Sequence, residues 1–151
     1  MPTLGQNHSS QLLQTCREHI SVGFDHSRAP SIRVTLDGIV SDEDFAAYIA
    51  ESDLIVAAGL RYGLVYDGMR PFEVTPRQRK IQSEWIQLNS NALAKLCVGA
   101  AFAFESTTAR GVLTAVLWMA KLPFEYSVVK SVLEGQLWIT DRLRSAGAHL
   151  R

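Results

Sequence analysis

Short runs with a strand pattern alternate along this chain with longer segments that have a helical pattern, and this alternation restricts the fold most. Residues 19–26 and 31–40 are apolar at every second position, which predicts two strands joined as an antiparallel hairpin. One helical segment and then three strand-and-helix units follow. We therefore predict an α/β fold with a mixed, mainly parallel sheet of about five strands and about four helices.

Turn and capping residues give the boundaries of the predicted elements. Ser41 precedes three acidic residues and Thr75 precedes Pro76, so both are expected to cap helices. Gly59 is expected to end the first helix. The predicted helices are 42–58, 76–96, 107–122 and 132–150, and the later predicted strands are 61–68, 98–106 and 124–131.

The composition indicates one globular domain. The chain has 151 residues, of which 47% are hydrophobic, and its 15 basic residues balance its 15 acidic residues. A net charge of zero gives no general attraction to nucleic acid or to an anionic membrane, so we expect no nucleic acid partner. We expect a polar N-terminal arm over residues 1–18, without the pattern of a secretory signal, and a single domain over residues 19–151.

The cysteines and the lengths of the apolar stretches indicate where in the cell we expect this protein. Cys16 and Cys97 form no CxxC motif, which favours a reduced, cytoplasmic chain. The apolar surroundings of Cys97, in KLCVGAAF, predict a buried and inert thiol. No uncharged apolar stretch reaches the roughly 20 residues that a membrane-spanning helix needs, so we expect no membrane span.

The sequence contains no recognisable motif for catalysis, for a cofactor or for a metal ion. It has neither GxGxxG nor GxxxxGK[ST], which would hold phosphates with backbone amides, and it has no GxSxG elbow. Its four histidines form no pair spaced by four residues, as a metal site on a helix would need. We therefore expect a protein that is not an enzyme and that has no cofactor.

Three phrases are similar to a known family: IRVTLDGIVSDEDFAAYI, YGLVYDG and AFAFESTTARGVLTAVLWMAKLPFEYSVVKSVLEGQLWI. Over roughly residues 20–143 the chain resembles STAS domains, most of all the SpoIIAA-like subgroup that takes its name from the anti-sigma-factor antagonists. The resemblance implies a STAS-like fold and a non-enzymatic regulatory or ligand-binding domain.

In anti-sigma-factor antagonists a partner kinase phosphorylates a serine that opens the second helix, just after an aspartate that ends a strand. Asp67 ends the matching strand here, but the loop GMRPFEVTP that follows is longer than in the family. Thr75 is the hydroxyl in the matching place, so the resemblance makes it the candidate phosphorylation site. Its position as a helix cap is the alternative explanation.

Basic residues at two helix starts predict an anion site. Arg77 and Arg79 open one helix against its dipole, and Arg110 opens the next behind two threonines. Helices that follow parallel strands begin at one edge of the sheet, where open α/β sheets bind ligands. The candidate residues for a small anionic or lipid-like ligand are Arg70, Arg77, Arg79, Thr107, Thr108 and Arg110. Separate surface charges and an ordinary helix cap are the alternative.

The segment 106–123 has apolar residues on two helical faces, whereas a surface helix needs only one. Another part of the chain, a second protein chain or shallow contact with a membrane would cover the second face. We expect Leu113, Leu117 and Trp118 on that face to form an interface in a homo-oligomer or with a protein partner. The predicted function is thus a regulatory or protein-interaction domain, and the alternative is a binder of a small anionic or lipid-like molecule.

Overall fold

A computed structural model describes residues 19–105 and 121–147 of the chain. The described strands are β1 (Val22–Asp25), β2 (Ser31–Leu36), β3 (Gly38–Ile39), β4 (Tyr62–Gly68), β5 (Phe72–Glu73), β6 (Cys97–Phe104) and β7 (Tyr126–Val129). The described helices are α1 (Asp42–Ala57), α2 (Pro76–Leu88), α3 (Ser90–Leu96) and α4 (Val132–Ser145).

Five of these strands form one mixed sheet in the order β1-β2-β4-β6-β7. β1 pairs antiparallel with β2, as the predicted hairpin requires, and every other neighbouring pair in this sheet is parallel. The α/β class and the mainly parallel sheet are confirmed. β3 and β5 form a separate two-stranded parallel ladder that the sequence did not predict, because two residues are too few to show a period. The predicted arm lies outside the described residues, and so does the predicted helix at 107–122 except for its last two residues, which are not helical.

The predicted helix at 76–96 is wrong in one respect, because the chain forms two helices there. α2 ends at Leu88 and is followed by the C-cap residue Asn89, whose side-chain amide donates to the Trp85 carbonyl at 2.9 Å. An asparagine that binds the backbone in this way competes with the helical ladder. Leu88, at the end of α2, is 86% exposed, whereas Leu93 on α3 is buried.

The predicted caps are confirmed. The Ser41 hydroxyl accepts from the Asp44 amide at the start of α1, and Gly59, with φ of 69°, follows the end of that helix. Thr75 and Gln78 form a reciprocal capping box at the start of α2.

α4 packs closely against one face of the sheet, because small residues line the strands there. Gly63 and Ala101 leave room for Ile139, which is fully buried. A Cβ atom added to Gly63 would lie 2.5 Å from the Ile139 Cγ2 atom. This side of the sheet is therefore a tight core without spare volume at these contacts.

On the other face, α1, α2 and α3 surround larger side chains. Hydrogen bonds tie α1 and α2 together: Trp85 donates to the Asp53 carboxylate at 2.7 Å, and the Gln78 amide donates to the Asp42 carboxylate at 3.1 Å. The first strand is shorter than its pattern predicts, and Ile20, which lies before it, is 58% exposed.

Candidate functional site

A cavity of about 690 Å³ lies between the sheet and helices α1 to α3. Its volume is within the range of pockets that hold drug-sized ligands. We call it the aromatic cavity, after the lining residues Phe24, Tyr48, Tyr66, Trp85, Phe102 and Phe104. It is the strongest candidate for a functional site among the described residues.

The rings around the aromatic cavity hold one another in place. The Tyr66 and Phe102 rings stack with centroids 4.9 Å apart, and the Phe24 and Tyr48 rings stack at 5.4 Å. Alternate residues of β4 face opposite sides of the sheet, so Leu64 and Tyr66 face the cavity while Val65 faces α4. The aromatic walls are thus fixed by strand geometry and by ring contacts.

Two tyrosine hydroxyls meet in this apolar environment. The Tyr48 hydroxyl on α1 lies 2.6 Å from the Tyr66 hydroxyl on β4. Burial raises the pKa of both side chains, and in Tyr48 hydrogen bonds from Tyr66 and Gln82 partly oppose that rise. Both hydroxyls are therefore protonated and neutral near pH 7. The Oε1 atom of Gln82, another lining residue, is buried and has no hydrogen-bond partner among the described residues.

Two cationic side chains also line the aromatic cavity. Arg79 on α2 and Lys121 are both exposed, and neither forms an ion pair with any described residue. Two positive charges therefore lie at the boundary between the cavity and solvent.

The structure locates some of the residues predicted to bind an anion. Arg79 lines the aromatic cavity, whereas Arg77 is exposed and is not part of its described lining. Arg70 is exposed and pairs with the Asp37 carboxylate at 3.2 Å. Thr107, Thr108 and Arg110 lie outside the described residues, as do Leu113, Leu117 and Trp118. Convergence of Arg77 and Arg110 therefore stays a prediction.

Thr75 occupies the capping position that the sequence predicts. Its hydroxyl accepts from the Gln78 amide at 3.1 Å, which accounts for a threonine here. Asp67, at the end of β4, is buried and forms an ion pair with Arg33. Phosphorylation of Thr75 stays a prediction.

A second cavity, of about 650 Å³, lies beside the amino ends of β2 and β4. Its polar side chains already have partners. His26 and Glu51 lie 2.8 Å apart, and Arg61 donates to the Ala146 carbonyl at 2.6 Å. The aromatic cavity, where Arg79 and Lys121 form no ion pair with another described residue, offers more to a ligand.

Burial makes the other reactive groups beside this core inert. Cys97 is buried as predicted, and desolvation raises its pKa to about 12, so it is a thiol near pH 7. Desolvation also raises the pKa of Tyr62.

Over 19–105 and 121–147, no group of three or more His, Cys, Asp or Glu side chains is placed to hold a metal ion. Across the same ranges no helix is both long and apolar enough to cross a membrane.

Sequence reasoning missed the polar centre of the aromatic cavity, which is formed by Tyr48, Tyr66 and Gln82. Apolar spacing indicates which faces of α1 and β4 are buried, but it does not show that the Tyr48 and Tyr66 side chains contact each other. The available signal was a phenolic hydroxyl in each of two segments predicted to be buried, because a buried hydroxyl needs a partner.

Comparisons with family models, with curated proteins and with solved structures each found no match for this chain. The geometry of the described residues therefore carries the functional argument.

Proposed function

We propose that this protein is a non-enzymatic binding domain of STAS-like type, and that the aromatic cavity takes a lipid-like molecule with an anionic head. One observation carries the proposal: a cavity of about 690 Å³ with mainly apolar and aromatic walls is also lined by two exposed cationic side chains, Arg79 and Lys121. An amphiphile matches this combination, since its chain is apolar and its head is charged.

The apolar part of the ligand would lie against the aromatic and aliphatic walls. Leu64, Ile86 and Leu93 supply aliphatic surface beside the stacked rings. Transfer of each ligand methylene from water to such walls contributes about 0.8 kcal/mol. Affinity is therefore expected to rise with chain length until the chain fills the cavity.

The anionic head would lie beside Arg79 and Lys121. Both side chains are exposed, so water and salt screen their attraction for an anion. This contribution is expected to be small beside that of the chain and to weaken as the salt concentration rises.

Binding without catalysis is proposed because the described groups in and beside the cavity are poorly suited to proton transfer near pH 7. The pKa values of Tyr48 and Tyr66 are raised, and so is that of the neighbouring Cys97 thiol, in each case chiefly by burial. A general acid or base works best with a pKa near the working pH.

Thermal shift and calorimetry with octanoic, dodecanoic and hexadecanoic acids test the proposal. We expect saturable binding that tightens from octanoic to dodecanoic acid. Arg79→Ala should weaken binding of dodecanoic acid about threefold to fivefold, the size expected of an exposed ion pair. Arg77→Ala is the matched control, because Arg77 lies two residues away and is not among the described lining residues. No binding by any of the three acids would contradict the proposal.

Interaction through an apolar helix face is a second proposal, and it rests on the two apolar stripes of segment 106–123. The resemblance to STAS domains supports this second proposal, because it implies a regulatory role. We expect Leu117→Glu to reduce self-association or partner binding while the protein stays folded. Light scattering after size exclusion measures the mass, and circular dichroism checks the fold. An unchanged mass for a protein that is oligomeric before substitution would contradict the self-association.

A further inference from the structure

Two residues separate the aromatic cavity from the second cavity. Ile55, in the last turn of α1, and Tyr62, the first residue of β4, line the aromatic cavity and also line the second cavity of about 650 Å³. No other described residue belongs to both linings. These two side chains therefore form a shared wall, which we call the end wall.

The direction of the chain places the end wall at one edge of the sheet. β2 and β4 are parallel, so α1, which connects them, starts at their carboxyl edge and ends at their amino edge. The last turn of α1 is thus brought beside the start of β4. Ile55 accordingly packs against the buried cluster that contains Tyr62.

The two members of the end wall differ in how freely they can be changed. Tyr62 is 5% exposed, lies in a central strand of the sheet and belongs to a buried cluster with Cys97. Ile55 is only partly buried and packs on that cluster from the helix side. Ile55 is therefore the member whose size can be altered with less damage to the core.

Arg79 lies at the other end of the aromatic cavity. It is in the first turn of α2, and the starts of α2 and α1 adjoin, because the Gln78 amide donates to the Asp42 carboxylate at 3.1 Å. From Asp42 to Ile55, α1 extends roughly 20 Å at about 1.5 Å per residue. A ligand whose head lies beside Arg79 therefore has its chain directed towards the end wall.

We infer that the end wall sets the longest ligand chain that the aromatic cavity accepts, and that Ile55 is a specificity-determining residue. The inference rests on the proposed function, and it adds an upper limit to the length of the chain. Each methylene short of the wall gains apolar contact, whereas a methylene beyond it must bend back or stay in water.

The second cavity is the space that a longer chain would enter if the end wall were opened. Ile32, Leu54 and Leu60 give it apolar surface. A smaller side chain at position 55 would join this surface to that of the aromatic cavity. The limit on chain length should then move to longer ligands.

Calorimetric titration with saturated fatty acids, from octanoic to octadecanoic acid in steps of two carbons, tests the inference. Each acid is kept below its critical micelle concentration. We expect affinity to rise about fourfold per methylene up to a limiting length and then to level off or fall.

Ile55→Ala should move this limit by two carbons or more. For the first acid beyond the original limit, affinity relative to the acid at the limit should rise about tenfold, because two more methylenes reach apolar walls. Affinity for the shorter acids is expected to fall, since Ile55 itself lines the aromatic cavity. The readout is therefore the limiting length and not the affinity for any one acid.

A larger side chain at the same position gives the opposite test. Ile55→Phe should move the limit to shorter acids, whereas a purely structural role of Ile55 would not move it in opposite directions. Ile55→Val supplies a second, milder reduction in size that keeps the test usable if the alanine variant does not fold. Far-ultraviolet circular dichroism and thermal melts check the fold of each variant.

Leu54→Ala is the matched control. Leu54 is the preceding residue of α1, is 67% exposed and lines the second cavity but not the aromatic cavity. Its substitution should leave the limiting length unchanged, because the end wall stays closed.

The outcomes distinguish the inference from the proposed function. If none of the acids binds, both are wrong. If affinity for the starting protein still rises at octadecanoic acid, the proposed function stands and the end wall is wrong. The inference is also overturned if folded Ile55→Ala or Ile55→Val protein keeps the original limit, or if Leu54→Ala moves the limit as far as they do.

Discussion

On the α4 side of the sheet, small residues let the helix approach the strands closely, whereas on the α1–α3 side large rings leave a cavity. Gly63, Gly99 and Gly135 all stand where a Cβ atom would lie within 3.2 Å of a neighbouring atom on the α4 side. Tyr66 and Phe102 stack on the opposite side and line about 690 Å³ of space.

The two sides are also held together differently. α4 is held by close apolar packing around Ile139 and Leu143, which are fully buried. Hydrogen bonds near the helix ends help to hold the other side, such as those from Ser21 to Asp44 and from Gln78 to Val40. A close-packed core supplies stability, and a cavity bordered by hydrogen-bonded helices supplies room for a ligand. The tight core and the proposed ligand site thus lie on opposite faces of one sheet.

Truncation in the tight core should have the largest effect. Ile139→Ala is expected to lower the free energy of unfolding by about 2–5 kcal/mol, because the side chain is fully buried and its neighbours have little freedom to collapse. Ile86→Ala, at the cavity, should cost only about 1 kcal/mol, since Ile86 is partly buried and already borders open space. Urea denaturation measures both. Equal losses would contradict the contrast between the two sides.

Enlargement in the tight core should have the next largest effect. Gly63→Ala would place a Cβ atom 2.5 Å from the Ile139 Cγ2 atom, so we expect a loss of about 1–3 kcal/mol. Gly23→Ala in β1 is the matched control, because its Cβ atom would lie at an ordinary 3.6 Å from Ile20. That change should stay within about 0.5 kcal/mol. A Gly63→Ala protein as stable as the starting protein would show that α4 moves away at little cost.

The smallest effect on stability is expected when acid protonates Asp44, at the start of α1, and weakens its hydrogen bonds with Ser21. Hydrogen bonds from the Ser21 hydroxyl and backbone amide hold the pKa of Asp44 below its ordinary value of 3.8. A lowered pKa in the folded state means that this stabilisation is present above about pH 4 and is lost as the pH falls further.

Asp44→Asn should therefore cost a few tenths to about 1 kcal/mol at pH 7, with a smaller difference near pH 3. Asp141→Asn, at an exposed position on α4, is the control. Urea denaturation at the two pH values gives the comparison. A difference between Asp44→Asn and the starting protein that grows towards pH 3 would have the wrong sign.

Local signals predicted much of the fold. The two-residue periods of β1 and β2, the caps at Ser41 and Thr75, and Gly59 each act within a few residues, so the sequence displays them directly. The break at Asn89 was missed because its cause is one side-chain hydrogen bond to Trp85, which apolar spacing does not reveal.

The candidate site depended more on tertiary contacts. Arg79 was predicted to bind an anion from its place at a helix start, and it does line the aromatic cavity. The meeting of Tyr48 with Tyr66 depends on how α1 lies across β4, 18 residues further along the chain. Periodicity predicts which face a residue occupies, but not which residue stands opposite it.

Methyl-resolved nuclear magnetic resonance tests the division between the two sides most directly. The protein, with labelled Ile, Leu and Val methyl groups, is titrated with dodecanoic acid. We expect saturable shifts at methyls that line the aromatic cavity, those of Leu64, Ile86 and Leu93. Methyls in the α4 core, those of Val65, Ile139 and Leu143, should stay in place. Absence of saturable shifts at the first set, or equal shifts in both sets, would contradict a ligand site confined to the α1–α3 side.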